Sequence, residues 1–292
     1  MCTQPLWPSD SVNSKPCRPR DAEPFLRWPG GKRWVAPVLA GIVRKSLFGK
    51  YIEPFLGGGA VFFRVGPEEA VLGDINPNLI DTYTAIRDTP HEVIELLRGW
   101  VATEEMFYRL RHWNPAKREE RAARFLFLNR TAFAGIYREN REGRYNVPFG
   151  GGQRTHHLLF ESDLLLRAST ALASARLVSG DFSALVGCAG QGDVIYCDPP
   201  YPSTLPGAFS RYNGRRFSWD DQVRLARAVR AAHDRGATVL VSNAREPRVE
   251  ELYEGAQMLV LERSSLVSRT RAGRGPVSEV LFVFEPGSGG TE

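Results

Sequence analysis

Short apolar runs bounded by glycine, proline or acidic residues alternate along this chain with longer stretches in which apolar residues return every three or four positions. The first pattern predicts buried strands and the second helices. In "DVIYCDPPYP" (193–202), Val194, Ile195, Tyr196 and Cys197 suit a strand buried on both faces, as in a parallel sheet. Pro199 restricts Asp198 to extended geometry, and two successive prolines offer no backbone N–H, so neither strand nor helix continues through them. The chain turns directly after Asp198. Open α/β sheets bind ligands at the carboxyl ends of their strands, which makes an acid on a rigid turn a candidate site; a strand ending in an ordinary turn has the same pattern.

The alternation extends over most of the chain. "YIEPFLGGGAVF" (51–62) predicts a strand, a glycine loop and the start of a helix, and "AVLGDINPNLIDTY" (70–83) predicts a strand ending at Asp74 followed by a helix. Residues 91–129 are mainly helical in pattern, including "EEMFYRLRHW" and "KREERAARFLFLNR". Strand signals resume in "SARLVSGDF" (174–182). The next helix, "FSWDDQVRLARAVRAAHDRG" (217–236), has Ser218 and Asp221 placed for a capping box and Gly236 for its end. "ATVLVSNA" and "EVLFVFEP" supply the last strands. A doubly wound α/β sheet with a helical insertion near 89–156 is the simplest arrangement, and the polar ends predict disordered tails.

Composition adds bounds. The 292 residues, 42% hydrophobic, suit one large domain or one domain with an insertion. A formal net charge of +5 permits a polyanionic partner without demanding one. Cys2, Cys17, Cys188 and Cys197 form no C-x-x-C pair, so neither a disulfide framework nor a zinc site is predicted. No apolar stretch has signal-peptide or membrane-spanning length, and a cytoplasmic setting is expected.

The glycine loop narrows the ligand. Glycines after a strand admit a ligand close to the backbone, which singles out Gly57 and Gly59, and Asp74 falls where an acid can hold ribose hydroxyls. The loop does not complete G-x-G-x-x-G, because Phe62 occupies the last position, and "GGKR" around Lys32 lacks the residues of a P-loop. A ligand with adenosine but no phosphate fits: S-adenosylmethionine, whose ammonium Glu53 can accept. Triple-glycine turns also occur without any cofactor.

Seven stretches, in order, carry a resemblance. "FLRWPGGKR" (25–33), "YIEPFLGGGAVFF" (51–63), "GDIN" (73–76), "FLNRTAFAGIYRENREGRYNVPFG" (127–150), "GDF" (180–182), "DVIYCDPPY" and "VSN" (241–243) together resemble the Dam-type DNA adenine-N6 methyltransferases. "RSSLVSRTRAGRGPVSEVLF" (263–282) looks like that family's closing segment. The resemblance implies a Rossmann-like S-adenosylmethionine-dependent methyltransferase fold with a mainly helical DNA-recognition insertion that carries a β-hairpin. Residues 22–88 and 157–286 become the catalytic domain, 89–156 the target-recognition domain, and 1–21 and 287–292 the tails.

The implied reaction gives "DPPY" its purpose. The exocyclic amine of adenine is a weak nucleophile, so a catalyst gains by accepting hydrogen bonds from it, and Asp198 with the carbonyl of Pro199 can do so on a turn that Pro200 stiffens. Tyr201 offers a face on which a flipped base stacks. Neither a metal nor a cysteine nucleophile is required. By resemblance Trp28, Lys32, Asp74 and Asp198 contact the cofactor, with Phe55, Asp181 and Phe182 beside it; otherwise Trp28 reads as a core aromatic and Lys32 as a solvated charge.

Between residues 109 and 154 eleven basic residues face four acidic ones, and the resemblance directs this insertion at double-stranded DNA. Gly143 falls where a hairpin would turn, and such a ribbon can enter the major groove. Arg138 matches a family arginine that reads a guanine, and Ile136 and Pro148 match apolar contacts to bases. Arg27, Asn129, Arg130, Phe133 and Asn146 complete the expected DNA contacts, while Arg118 and Arg121 are expected to reach at most phosphates. Ala134 stands where the family commonly has Asn, Phe133 where some members have Tyr, and Pro29 where Ala or Thr is usual. The target is expected to be GATC or a related short site, and the protein a monomer. An RNA or other amino-group methyltransferase, or a catalytically silent DNA-binding homologue, are the alternatives. "NVPFG" argues against the first, and the presence of Asp198 and Tyr201 against the second.

Overall fold

The computed structural model of the chain describes residues 22–140, 142–151, 161–202, 211–212, 215–264 and 276–285. Both expected tails, together with Cys2, Cys17, Arg141, Arg154 and residues 265–275 of the closing segment, lie outside these. In chain order the strands are β1 (Tyr51–Glu53), β2 (Ala70–Asp74), β3 (Ala175–Ser179), β4 (Val194–Cys197), β5 (Arg211–Tyr212), β6 (Arg215–Arg216), β7 (Thr238–Ala244), β8 (Gln257–Ser264) and β9 (Pro276–Phe284). Seven of them form one sheet in the order β3-β2-β1-β4-β7-β9-β8, and β5 pairs with β6 in a separate hairpin. The strands from β3 across to β7 are parallel, whereas β9 runs antiparallel between β7 and β8. Every residue of β1 and β4 is buried, as the unbroken apolar runs require.

The helices are α1 (Ala36–Ser46), α2 (Ala60–Val65), α3 (Pro77–Asp88), α4 (Pro90–Arg98), α5 (Glu104–His112), α6 (Arg118–Thr131), α7 (Ser162–Leu172), α8 (Phe182–Gly187), α9 (Trp219–Asp234) and α10 (Pro247–Leu252). Asn76 caps α3 by accepting from the N–H groups of Asn78 and Leu79. The capping box of α9 forms as expected between Ser218 and Asp221, and Gly236 ends that helix at φ +91°. One apolar cluster packs α1 to α7 against the sheet, and a second packs α8, α9 and α10 against the other face. The sheet is therefore doubly wound. Its order reverses between β1 and β4, the position at which such sheets open a crevice for ligands.

Two features depart from the sequence reading. Strand β8 was not foreseen, because at the sheet edge Met258 and Val260 point outward and the apolar run is interrupted. The arginines of α6 are engaged within the protein: Arg118 and Arg121 both pair with Asp81 of α3, at 2.9 and 2.7 Å, and Arg124 donates to the carbonyls of Leu110 and Arg111 at the end of α5. The two pairs to Asp81 fix the helical insertion to α3, the Arg124 bonds join two of the insertion's own helices, and the insertion shares the sheet's core, with Phe107, Phe125 and Leu128 in one cluster with Leu72 and Tyr83.

Asn129, expected at the DNA, has no exposed surface. Its Oδ1 accepts from the Arg27 N–H at 2.9 Å, and its Nδ2 donates to the carbonyls of Arg27 at 2.7 Å and Gly135 at 3.4 Å. It sutures the N-terminal segment to the turn after α6. Asn129→Ala leaves buried backbone groups unpaired and is expected to lower unfolding free energy by about 2 kcal/mol or more, measured by denaturant titration.

Candidate active site

A cavity of about 430 Å³ opens at the carboxyl ends of β1, β2 and β4. The glycine loop forms its floor. Gly57 and Gly59 adopt φ +48° and +66°, and a Cβ added to them would lie 2.7 Å from the Trp28 ring and 2.9 Å from the Tyr83 hydroxyl. Only glycine lets the loop lie this close to its supports. Trp28 stacks on both Phe125 and Tyr137, with centroids 6.2 and 5.9 Å away, so the Trp28 wall of the cavity is backed by the helical insertion.

Carboxylates ring this floor. Glu53 at the end of β1 is 2% exposed, accepts from the Tyr51 hydroxyl at 2.8 Å, and has no ion-pair partner among the described residues. Burial pushes its carboxyl up to about 8, with the charges of Asp198 and Asp74 adding to the shift and the Tyr51 and Phe62 hydrogen bonds opposing it. Asp74 at the end of β2 accepts from the N–H groups of Gly57 at 3.1 Å and Asn76 at 2.9 Å, yet burial still raises it to about 6. Asp181 caps α8 and pairs with Arg224 at 2.8 Å; burial works against its charge, but Arg224 and Ser183 hold the carboxyl below its ordinary range. Phe55 stacks on Phe182 at 5.5 Å, Phe217 meets Phe55 edge-on, and the Arg224 guanidinium lies 4.6 Å over Phe182. These aromatic faces line one end of the cavity.

At the other end lies the Asp198-Pro199-Pro200-Tyr201 turn. The Lys32 ammonium, 5% exposed, sits 3.0 Å from Asp198, 3.4 Å from Glu279 and 4.9 Å from the centre of the Tyr201 ring. Tyr201 donates its hydroxyl to Glu279 at 2.9 Å. Burial raises Asp198 to about 6, and Lys32 opposes that shift. The Pro200 carbonyl accepts from Gln222 of α9 at 2.9 Å, and Gln222 accepts in turn from Asn243 at the end of β7 at 3.1 Å. The turn is thus held by an amide relay as well as by its prolines. Neither Gln222 nor Glu279 was expected from the sequence. The available signals were a charge heading the apolar strand "EVLFVF" and an amide on the apolar face of α9.

The segment after α6 presents a second surface. Asn146 donates its N–H to the Arg138 carbonyl at 3.1 Å, Gly143 turns at φ +73°, and the Arg138 Nε donates to the Asn146 side chain at 2.9 Å. Phe133 donates to the Pro148 carbonyl at 3.0 Å. Tyr145 and Val147 point inward, while Phe133, Ile136, Arg138, Asn146 and Pro148 are exposed together. Arg27 is exposed too, packed against Gly135, where a Cβ would lie 2.9 Å from its side chain. Arg130 instead donates to the Phe25 carbonyl at 2.8 Å. Ala134 adopts φ +54°, a conformation Asn tolerates better than Ala. Tyr137, just before Arg138, bonds Glu139 and accepts from Asn78, so the hairpin touches both the Trp28 wall and the start of α3.

Comparison with known proteins follows the same lines. A model of the family described as D12 class N6 adenine-specific DNA methyltransferase matches residues 28–265. The type II methyltransferase M1.LlaDCHI of Lactococcus lactis subsp. cremoris is 34% identical over 269 residues, covering 88% of this chain and 94% of that protein. A DNA adenine methylase of Vibrio cholerae is 34% identical over 270 residues, covering 90% and 96%. A DNA N-6-adenine-methyltransferase of Escherichia phage P1 is 36% identical over 303 residues, 95% of this chain but 39% of the longer phage protein.

Proposed function

The chain belongs to the D12 class N6 adenine-specific DNA methyltransferases, and we propose that it methylates adenine in double-stranded DNA with S-adenosylmethionine as donor and with the base turned out of the helix into the cavity. The observation that carries this reading is the placement of Asp198, on its two-proline turn, at the same cavity as the glycine loop and two buried carboxylates, Glu53 and Asp74, that no ion pair among the described residues neutralises. S-Adenosylmethionine supplies an electrophilic sulfonium methyl. The residues fit it: Glu53 would accept its ammonium, Asp74 would accept from the ribose hydroxyls, Phe55 and Phe182 would offer aromatic surface to its adenine, and the bare backbone at Gly57 and Gly59 would admit it. Asp181 lines the same end, and Trp28 and Lys32 close the wall.

Asp198 and the Pro199 carbonyl accept from the adenine amine, keeping its lone pair directed at the methyl group, and Tyr201 stacks on the base. The carboxylate is needed ionised, so activity should fall as pH drops through about 6, where Asp198 takes up a proton. Asp198→Ala removes an acceptor and leaves Glu279 as a carboxylate partner of Lys32. Methyl transfer to duplex DNA is expected to fall about 100-fold or more while the protein still melts cooperatively as a folded chain; near-normal turnover would defeat the assignment.

On the second surface, Arg138 reads a guanine of GATC or a related short site, Phe133, Ile136 and Pro148 make apolar contacts to bases, and Asn146 holds the guanidinium in place. Asn129 acts behind this surface by fixing Arg27. Arg138→Ala is expected to relax preference at one base pair, costing about 1 to 3 kcal/mol of discrimination there, when duplexes with every single-base change in the site are methylated in parallel. A uniform loss over all duplexes would show that Arg138 does not read sequence.

A further inference from the structure

We propose that Glu279 is a positioning residue for methyl transfer, which holds Lys32 and Tyr201 so that the Asp198 carboxylate stays available to the adenine amine. The inference rests on the role given above to Asp198. Antiparallel β9 makes it possible: running opposite to its neighbours, this strand brings its early residues to the edge where β4 and β7 end, and Glu279 pairs in register with Ala244. Its side chain is 12% exposed and stands beside the two-proline turn.

A lysine ammonium has three N–H donors. Those of Lys32 have three acceptors: Asp198 at 3.0 Å, Glu279 at 3.4 Å and the Gly30 carbonyl at 3.2 Å. Without Glu279 the buried cation would have Asp198 as its one carboxylate, and the amine would compete with it for the same oxygens. The Lys32 and Tyr201 contacts fall on the same Glu279 oxygen, Oε2, so one atom fixes both the cation and the ring on which the base stacks. Two carboxylates around one lysine also leave this corner with one excess negative charge, at the place where the attacking amine becomes positive.

The groups facing Asp198 are Lys32 from the N-terminal segment, Glu53 of β1, Tyr196 and Cys197 of β4, Tyr201 on its own turn and Glu279 of β9. Removing the Glu279 charge leaves Lys32 less opposed, so Asp198 should ionise more readily and the acid limb of the pH–rate profile should move to lower pH. The test uses Glu279→Gln in the full chain, with thermal melting as a control and Asp198→Ala assayed beside it. The expected result is a kcat about ten-fold or more below normal, KM values for S-adenosylmethionine and DNA within about two-fold, and an acid limb shifted downward. In a Tyr201→Phe background, which retains the ring, the same substitution should cost clearly less than in the normal chain. If kcat and the acid limb are both unchanged, or if the two substitutions multiply independently, the inference is overturned. Should Glu279→Gln unfold the protein, Tyr201→Phe alone decides: it must lower kcat, because it breaks the same arm. An active Asp198→Ala would instead overturn the reading of the turn itself.

Discussion

Carboxylates taken out of water cost on the order of several kcal/mol each unless they are paired, hydrogen-bonded or protonated. This cavity gathers Glu53, Asp74, Asp181, Asp198 and Asp221 on its walls, with Glu279 behind them, and among the described residues sets Lys32 and Arg224 against them. The two cations divide the work. Arg224 serves Asp181 and Asp221 at the aromatic end, and Lys32 serves Asp198 and Glu279 at the two-proline turn. Glu53 and Asp74 are left to hydroxyl and backbone donors, and their raised pKa values express that shortage. A ligand carrying a fixed positive charge, as the proposed donor does, would answer it.

The same economy of contacts joins the cavity to the proposed reading surface through few residues. Trp28 lines the cavity and stacks on Tyr137; Tyr137 precedes Arg138 and is bonded to Asn78, four residues beyond Asp74. Asn129 binds the Arg27 backbone and the Gly135 carbonyl, setting the exposed arginine next to the hairpin. The helical insertion is therefore anchored through buried aromatic and amide contacts, with the Arg118 and Arg121 pairs to Asp81 reinforcing it from outside.

Much of this was legible in the sequence because it depends on local chemistry. The apolar runs of β1, β4 and β7, the capping box at Ser218 and the left-handed glycines at 57, 59 and 143 each follow from residues within a few positions of one another. What was not legible depends on partners distant in sequence. Glu279 matters because β9 runs backward beside β7, and Gln222 because α9 packs over the Pro200 carbonyl. Arg118 and Arg121 read as a basic face, since nothing near them in sequence announces Asp81. Asn129 read as a surface residue because Arg27, to which it bonds twice, lies 102 positions earlier.

The central claim is that the buried carboxylates are held short of positive charge until the methyl donor arrives. Glu53, raised to about 8, is largely protonated between pH 6 and 7 and must lose its proton to pair with a cation. The α-amino group of S-adenosylmethionine, ordinarily about 7.7 to 8, is already protonated over that range and contributes little. The direct measurement is calorimetric titration of the protein with S-adenosylmethionine at pH 6 and 7 in buffers of different ionisation enthalpy. The account predicts release of up to about one proton on binding and an affinity that rises with pH over this interval; binding with no proton released, or with protons taken up, would contradict it.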